Sequence, residues 1–217
     1  MKRVFFLSML VAAALLTTIT AVKAQKGIYI GAQGTRQMGV MINKDDANKP
    51  GADYKSKFSA TFGINGGYNF SRNMGIGTEV MYSISRQRYV DHVTSYTQKF
   101  NYLKIPVLFT YNTNPAKNLM FIAKAGPQVG LLLNSKISDA SNSALNGSAK
   151  DRYRKLTYGA VVGAGIRARM AQNIFLDAGV HFDGTFVNTE KKNYTGTRAR
   201  TYDLNAGLEI GVKYFLK

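Results

Sequence analysis

The feature that most limits how this chain can fold is a strict alternation of apolar and small or polar side chains. In residues 57–70 the even positions carry Phe, Ile, Tyr, Ala or Gly, whereas the odd positions carry Lys, Ser, Thr, Asn or Gly. Residues 201–214 repeat the pattern, with Tyr, Leu, Ile, Val and Ala on one face. Such a period is that of a β-strand, and both runs exceed the roughly 5–6 residues usual in soluble proteins. The alternation therefore predicts an all-β fold with unusually long strands.

Segments with this alternation recur along the whole chain and predict its strands. They span 27–42, 57–70, 74–90, 96–111, 118–133, 154–169, 173–189 and 200–216. Between them, short turns alternate with the longer polar connections 43–56, 91–95, 134–153 and 190–199. In an antiparallel sheet that closes on itself, this order puts every short turn at one end and every long loop at the other, as in bacterial outer-membrane barrels. We therefore predict an eight-stranded antiparallel up-and-down transmembrane β-barrel with short periplasmic turns and longer extracellular loops.

Proline and glycine mark the irregular places in these predicted strands. Pro106 and Pro127 lack the amide proton that a central strand uses, so we expect local bulges or widely spaced ladder positions there. Gly31, Gly34 and Gly39 in the first strand indicate a bulge or the close approach of a neighbouring backbone.

An alternating barrel can turn its apolar face either to its own interior or to lipid. Here the apolar face carries the bulky residues Phe58, Phe62, Tyr82, Phe109, Phe121, Phe182 and Tyr202, while the other face combines charges with Gly, Ser and Asn. The bore of a barrel of about eight strands is only just wide enough to be filled by side chains, so the small and charged face suits it better. A soluble lipocalin-like barrel is the alternative, but the chain has no Trp, which such barrels usually carry near the first strand. The composition of the two faces favours the membrane barrel.

The first residues have the pattern of a targeting segment. Residues 1–24 begin with Met-Lys-Arg, continue with an apolar run and end with Val-Lys-Ala before Gln25. This order is that of a secretory signal peptide, and the apolar run is shorter than the roughly 20 residues of a membrane-spanning helix. We predict that residues 1–24 are cleaved, that residues 25–217 form the barrel domain, and that the protein resides in the outer membrane of a Gram-negative bacterium.

Composition narrows the chemistry that the chain can perform. The absence of Cys excludes disulfides, thiolate metal sites and thiol nucleophiles, and two His residues leave little for a His-rich metal centre. We therefore expect neither a metal nor another cofactor. A formal net charge of +17 points instead to an anionic partner.

Charged side chains on the inferred inward face form the first group of candidate site residues. They are Glu79, Lys104, Lys124, Arg167, Asp177, His181, Asp183, Asp203, Glu209 and Lys213. Unpaired charges in a narrow bore would cost several kcal/mol each, so the mixture of signs predicts an ion-pair network. Counting from the turns places Lys104 near Lys124, Arg167 diagonal to Asp177, and Glu79 close to Lys104. The network would plug the bore, and a narrow or gated ion pathway is the alternative.

Catalysis is the less favoured reading of the same face. Asp177, His181 and Asp183 share one side of the seventh predicted strand, and a carboxylate beside an imidazole can serve acid–base chemistry. However, the sequence has no Gly-X-Ser-X-Gly motif and no Ser at a fixed short spacing from His181. The protein is therefore expected to be non-enzymatic, with an outer-membrane hydrolase as the weaker alternative.

Basic side chains near the long loops form the second group of candidate site residues. They are Arg86, Arg88, Lys150, Arg152, Arg154, Lys155, Lys191, Lys192, Arg198 and Arg200, with Lys99 and Lys136 beside the same loops. At the outer rim of a barrel the nearest anions are the phosphates of lipopolysaccharide. We therefore expect contact with outer-membrane lipid and lipopolysaccharide, against the alternative of a merely solvated rim, and no nucleic-acid partner, although the basic and Tyr-rich loops could imitate a nucleic-acid surface.

Several stretches resemble a known family. The signal peptide, the run Asn101–Phe109, the pair Gly126-Pro127 and the ending Gly211–Phe215 resemble the PorT-like outer-membrane β-barrel proteins of Bacteroidetes, which are small barrels of the OmpA/OmpX type. The run Tyr-Leu-X-Ile-Pro is the most specific of these elements. Because that family is functionally mixed, the resemblance implies the architecture more than a task. It leaves a structural or interaction role at the cell surface, with possible protein partners in the envelope, beside a small-solute channel or a secretion-associated component.

Overall fold

The computed structural model describes residues 26–43, 45, 53–90, 95–113, 117–139, 146–191 and 200–216. Within these residues the strands are β1 (Gly27–Asn43), β2 (Asp53–Asn69), β3 (Met74–Val90), β4 (Ser95–Asn112), β5 (Leu119–Asp139), β6 (Gly147–Ser148), β7 (Leu156–Arg169), β8 (Ile174–Thr185) and β9 (Thr201–Phe215). A short 3-10 helix covers Lys150–Arg152. No helix in these ranges is long and apolar enough to cross a membrane.

The strands form one antiparallel sheet that closes on itself. Its order is β4-β3-β2-β1-β9-β8-β7-β5-β6, and a further pairing between β4 and β5 completes the ring. Eight long strands make the wall, while the two-residue β6 adds only to the outer part of β5. The predicted all-β antiparallel barrel is therefore confirmed. We call the end at which β2 leads to β3, β4 to β5 and β7 to β8 the inner end, and the opposite end the outer end.

The predicted strands agree with the observed ones at the inner end and differ at the outer end. β2 begins at Asp53 and β5 continues to Asp139, whereas the seventh predicted strand stops at Thr185, before its expected end at 189. The end of β5 pairs with β4 as far as Tyr96. Most of these added residues are polar and show no clear alternation. Hydrogen bonding to a neighbouring strand, which alternation does not report, keeps them extended.

The two prolines interrupt the ladder without shifting it. The β4–β5 register is the same before and after Val107 and Leu108, which face the Gly126-Pro127 pair and form no ladder pairs there. Of the two expectations, a bulge or widely spaced ladder positions, the second describes this place. A missing amide proton removes one hydrogen bond but adds no residue to the strand. The register shifts lie elsewhere, between Ser56 and Ala60 and beside Asn101.

Glycine in β1 accommodates a close neighbour, as predicted. The β1 register with β2 and β9 is continuous through Gly31. A Cβ at Gly31 would lie 2.7 Å from Oδ1 of Asn65 and would also meet the carbonyl oxygen of Val212. The close approach of a neighbouring strand, rather than a bulge, therefore explains this glycine.

The outward face is an apolar belt bordered by aromatic side chains. Phe62, Ile64, Phe121, Leu208 and Ile210 are each more than half exposed. Outward aromatic residues near the inner end are Tyr68, Phe70, Phe109, Tyr111 and Tyr214, and those near the outer end are Phe58, Tyr82, Tyr158, Phe182, Phe186 and Tyr202. Such a belt with two aromatic girdles is the lipid-facing surface of an outer-membrane barrel.

The bore also contains bulky apolar side chains, which the sequence interpretation assigned to the outward face. Two clusters are buried inside, one at each end. The inner cluster is Tyr29, Met120, Phe175 and Phe215. The outer cluster is Met41, Phe100, Tyr102, Leu132, Ala149 and Tyr153. The expectation was incomplete because alternation shows which side chains point inward but not that every inward side chain is small or charged. Met81, Leu108 and Val161, which lie away from the strand ends, are also buried.

Candidate functional site

The ten charged residues expected in the bore lie on its inward face, and we refer to them as the charged layer. They come from β3, β4, β5, β7, β8 and β9, and they extend from Lys213, directly opposite Phe175 of the inner cluster, to Asp203, directly opposite Met41 of the outer cluster. Glu79, Lys104, Arg167, Asp183 and Asp203 each expose less than a tenth of their surface. The two-residue alternation of each strand places these side chains on its inward face. Closure of the sheet into a ring brings the inward side chains of distant strands close to each other.

A chain of polar contacts crosses the middle of the bore from wall to wall. Nζ of Lys124 lies 2.9 Å from Oε1 of Glu79 and 2.8 Å from Oε1 of Glu209, so one ammonium joins β3, β5 and β9. Nδ1 of His181 lies 3.1 Å from Oε2 of Glu209, and Nε2 lies 3.4 Å from Oδ1 of Asp183. Lys104 forms an ion pair with Asp183. The contacts therefore run without a gap from β3 to β4 through the centre of the barrel.

A second group of charges lies next to the inner cluster. Arg167 donates two hydrogen bonds to Asp177, from Nε at 2.6 Å and from Nη2 at 2.8 Å, and a third from Nη1 to Oδ1 of Asn112 at 3.1 Å. Nζ of Lys213 lies 3.3 Å from Oδ2 of Asp177 and 4.6 Å from the centre of the Tyr29 ring. Parallel guanidinium–carboxylate bonds of this kind are strong and fix their geometry. They hold β7 to β8 and orient the carboxylate toward β9.

The partners within the bore differ from those expected by counting from the turns. Lys104 is opposite Gly130, and Lys124 is opposite Thr110, so the two lysines are not neighbours. Glu79 pairs with Lys124 rather than Lys104. The cause is an asymmetric turn, since Asn112 pairs with Ile122 and leaves the first residues of β5 beyond the end of β4.

The predicted position of Arg167 relative to Asp177 was also wrong, although by less. Arg167 lies directly opposite Asp177, not diagonal to it. The connection between β7 and β8 is short and the hairpin is symmetric. Counting residues from the turn therefore found the correct partner of Arg167 but gave it a diagonal instead of a directly opposite position.

The charges of the layer nearly balance, and a small cavity lies beside them. Five carboxyl groups face four Lys or Arg side chains, with His181 between two of the carboxylates. The cavity bordered by Lys124, Arg167, Asp177, Glu209 and Lys213 has a volume of about 20 Å³. Since one water needs about 10–15 Å³ of such volume, the cavity admits a water but no organic substrate.

The carboxylates that a catalytic site on this face would use already form ion pairs. Asp183 is paired with Lys104 and Glu209 with Lys124, so both acids beside His181 have cationic partners. Among the described residues no group of three or more His, Asp or Glu side chains is placed to hold a metal ion.

A loop segment closes the outer end of the bore. Residues 146–153 fold over β5, where the amide of Ala149 donates to the carbonyl oxygen of Ser135 at 2.9 Å. The ring of Tyr153 meets Phe100 edge-on with centroids 4.9 Å apart, and its hydroxyl accepts a hydrogen bond from Nε2 of Gln98 at 2.8 Å. Burial raises the pKa of the Tyr153 phenol. The segment therefore inserts the ring of Tyr153, which we call the aromatic plug, into the outer end of the bore instead of extending into solvent.

The next loop holds this plug from the other side. The amide of Arg154 donates to the carbonyl oxygen of Thr189 at 2.8 Å, and the amide of Lys191 donates to that of Arg152 at 2.9 Å. Glu190 accepts a hydrogen bond from Oγ1 of Thr201 at 3.0 Å. Burial raises the pKa of the Glu190 carboxyl, and the hydrogen bond from Thr201 and the nearby Arg152 only partly oppose that shift. Two loops are thus bonded to each other above the bore.

Most of the basic rim residues stand exposed at the outer end. Arg86 and Arg88 project outward from β3, and Arg88 donates from Nε and Nη2 to Oγ of Ser95 at 3.1 and 3.0 Å. The others in the described ranges are Lys150, Arg152, Arg154, Lys155, Lys191 and Arg200, all exposed except the half-buried Arg154. Lys192 and Arg198 lie outside the described residues.

One arrangement of charges at this rim was not predicted from the sequence. Arg86 is directly opposite Lys99, and Lys99 is directly opposite Lys136, so three cations form a row across β3, β4 and β5. Finding this row from the sequence would require the register of two hairpins, one of which contains a bulge.

Comparison with known proteins agrees with this architecture. The sequence matches the family described as outer membrane protein beta-barrel domain over residues 23–183. No curated protein sequence matches the chain significantly. The fold is similar to that of Neisserial surface protein A, with a TM-score of 0.51, 13% identity, and coverage of 88% of this chain and 97% of that one. It is also similar to the outer membrane protein OprG from Pseudomonas aeruginosa, with a TM-score of 0.53, 10% identity, and coverage of 88% and 98%.

The family match covers most of the chain, and the barrel continues beyond it, because β9 closes the ring against β1. The apolar belt, the aromatic girdles and the closed antiparallel sheet are the features that such a protein needs in lipid. This chain belongs to the outer membrane protein beta-barrel domain family and is a protein of the outer membrane.

Proposed function

We propose that this protein is a closed, non-enzymatic barrel whose bore is plugged by ion pairs and which has a structural or interaction role at the cell surface. The observation that carries the proposal is the chain of contacts from Glu79 through Lys124, Glu209, His181 and Asp183 to Lys104. These contacts cross the bore and support the proposal of a plugged interior. Barrels that hold an aqueous channel usually have about 16–18 strands, twice the number in this wall.

The charges are best explained as cross-braces between strands. Taking an ion out of water costs several kcal/mol, and only good geometry with opposite charges offsets that cost. Arg167 and Lys124 each meet more than one acceptor, which satisfies several donors at once. Such braces maintain the cross-section of a barrel, and the apolar clusters at both ends keep solvent from them.

Conductance of the purified full-length barrel in planar lipid bilayers tests this proposal. We expect no stable current steps from the native protein. We expect the same for Tyr153→Ala, because the inner cluster and the charged layer remain in place. Sustained single-channel currents from the native protein would instead support a small-solute channel.

The basic rim supports the second part of the proposal, contact with lipopolysaccharide. Lys150, Arg152 and Lys155 are exposed on one short segment at the outer end. We place this segment at the height of the lipopolysaccharide phosphates in the outer leaflet, where charge-assisted hydrogen bonds to phosphate are strong. Neutralising Arg152, Arg154 and Lys155 together should weaken binding to vesicles that contain lipid A, and unchanged binding would rule out this loop as the contact.

We also propose that residues 1–24 are removed as a signal peptide. The basic start, the apolar run and the small residues before Gln25 support this. Mass determination of the protein extracted from outer membranes should give a chain that begins at Gln25. A chain that begins at Met1 in that fraction would contradict the proposal.

The PorT-like resemblance remains a proposal about a subgroup. It is supported by the run Asn101–Phe109, which lies in β4 with Tyr102 and Lys104 inward and Leu103 and Ile105 outward. If the protein serves a secretion machine, cross-linking in intact outer membranes followed by purification should recover a machine component in a fixed ratio. Recovery of the barrel alone would favour an autonomous surface protein.

A further inference from the structure

A small hollow on the outward face lies immediately above the apolar belt. Its lining consists of Lys99 and Asn101 from β4 and Asn134 and Lys136 from β5, and its volume is about 140 Å³. One water needs about 10–15 Å³ of such space, so the hollow has room for several waters or for one tetrahedral anion. The four lining side chains carry two ammonium groups and two amides.

The register of β4 and β5 explains how these four side chains come together. Lys99 is opposite Lys136 and Asn101 is opposite Asn134, and the next pair is Tyr102 with Leu132. Leu133 is therefore an extra residue in β5, which makes this a β-bulge. A bulge re-aims the neighbouring side chains, so Leu133 and Asn134 can both project outward. The hollow is thus part of the folded wall and not of a loop.

The charges around the hollow are arranged for an anion. Arg86 is directly opposite Lys99, which continues the row of cations across three strands. Like charges directly opposite in a sheet are unfavourable, because their Cβ atoms are only about 4.5–5.5 Å apart. Within the described residues no carboxylate pairs with Lys99, Lys136 or Arg86. A bound anion would relieve the repulsion.

The position of the hollow and one unsatisfied atom indicate the kind of anion. Leu133 and Leu103, the adjacent outward residues, belong to the lipid belt, so the hollow lies at the level of lipid head groups. Oδ1 of Asn101 is buried and has no hydrogen-bond partner in the described part of the chain. A buried acceptor of this kind calls for a donor such as a hydroxyl group. Phosphate and hydroxyl groups occur together in a phosphorylated sugar.

We propose that Lys99, Asn101, Asn134 and Lys136 form a site for the phosphorylated sugar head group of an outer-leaflet glycolipid, with Arg86 at its edge. The two lysines and the amide nitrogens donate to the phosphate, and Oδ1 of Asn101 accepts from a sugar hydroxyl. The inference deepens the proposed contact with lipopolysaccharide by giving it one defined site in the wall of the barrel.

Native mass spectrometry of the full-length barrel in detergent, titrated with lipid A, tests the site. The native protein should retain one lipid A, and K99Q/K136Q should bind it roughly tenfold more weakly, the loss expected for charge-assisted hydrogen bonds. The comparison variant K150Q/K155Q removes the same charge from the exposed loop, where contacts to phosphate are screened by solvent, and should weaken binding less, by about two- to threefold. Circular dichroism verifies that each variant keeps its β-structure.

The outcomes separate this site from general attraction to the rim. An equal loss in both double variants would overturn the site and retain the broader contact with lipopolysaccharide. Unchanged binding in both would overturn the two together. Lipid A without phosphate should bind as weakly to the native protein as lipid A binds to K99Q/K136Q, and tight binding of the phosphate-free lipid would refute recognition through phosphate.

Two further arms define the ligand. Inorganic phosphate should compete only weakly, because it lacks the sugar and the acyl chains, and full displacement at low concentration would show that a free phosphate is the ligand. Asn101→Ala should weaken lipid A binding a few-fold while Asn112→Ala, an inward amide of the same strand, should not. Equal effects of these two substitutions would refute the sugar contact.

Discussion

The two ends of the bore are closed in different ways. The inner cluster is built entirely from strands, with Tyr29, Met120, Phe175 and Phe215 on four separate strands of the wall. The outer cluster takes Ala149 and Tyr153 from a segment between β5 and β7. Wall residues cannot leave the bore without breaking the sheet, whereas the loop segment is held by a few hydrogen bonds and one aromatic contact. The inner closure is therefore part of the fold, and the outer closure can open locally.

The adjoining charges follow the same division. Asp177, next to the inner cluster, binds both Arg167 and Lys213. Glu190, next to the outer cluster, is half-buried and accepts one hydrogen bond from Thr201. The inner acid thus neutralises two buried cations, and the outer acid mainly joins two loops.

The largest effect that would test this comparison comes from removing the inner acid. Asp177→Ala leaves Arg167 and Lys213 buried without their carboxylate, which should lower the free energy of unfolding by about 3–5 kcal/mol. Glu190→Ala, the matched change at the outer end, should cost less than about 1 kcal/mol. Urea unfolding in lipid vesicles measures both, and similar losses would contradict the difference between the ends.

A matched pair of aromatic truncations should give the next largest difference. Phe175 is fully buried and lies edge-on to Phe215, with ring centroids 5.3 Å apart. Phe175→Ala should lower the free energy of unfolding by about 3 kcal/mol, because strands fixed in the wall cannot collapse into the cavity. Tyr153→Ala should cost only about 1 kcal/mol.

Hydrogen exchange distinguishes the two truncations more sharply. Tyr153→Ala should speed exchange at the amides of Ala149 and Arg154, which bond to neighbouring segments, and leave the strands protected. Phe175→Ala should speed exchange in β8 and β9. Faster exchange throughout the barrel after Tyr153→Ala would mean that the outer closure is also part of the global fold.

The smallest expected effect is a pH dependence confined to the outer end. Burial raises the pKa of Glu190, so the folded protein binds the proton more tightly than the unfolded chain, whose Glu pKa is about 4.3. The stability that Glu190 contributes is therefore complete below that value and falls as the pH rises through the folded pKa. At neutral pH, Glu190→Gln should be slightly more stable than the native protein.

The difference should vanish once the native side chain is itself protonated, below about pH 4. Thermal midpoints of the two proteins at neutral and acid pH provide the measurement, and the other carboxyl groups cancel because both proteins share them. A Gln variant that is less stable at neutral pH would show that the Glu190 charge, through Arg152, stabilises the loops instead.

The sequence predicted the strands and the faces of their side chains well, but it predicted poorly which charged side chains contact each other in the bore. Alternation located β3 at its observed bounds, Met74–Val90, because which face a side chain takes depends only on its own strand. It misjudged the neighbours of Lys104 and Glu79, because these depend on where the asymmetric turn after Asn112 sets the register of β5. It also missed the insertion of Tyr153, since a polar connecting segment carries no period that would mark one residue as buried.

The sequence by itself determined an all-β chain with one apolar and one polar face on each strand, and with it a barrel in the outer membrane. The closed tertiary structure decided which charges meet across the bore, how each end is sealed, and where Lys99 and Lys136 face each other at the rim. The reason is physical: the side to which a side chain points is a local property of an extended backbone, whereas contacts across a ring depend on register, bulges and loops that every strand constrains together.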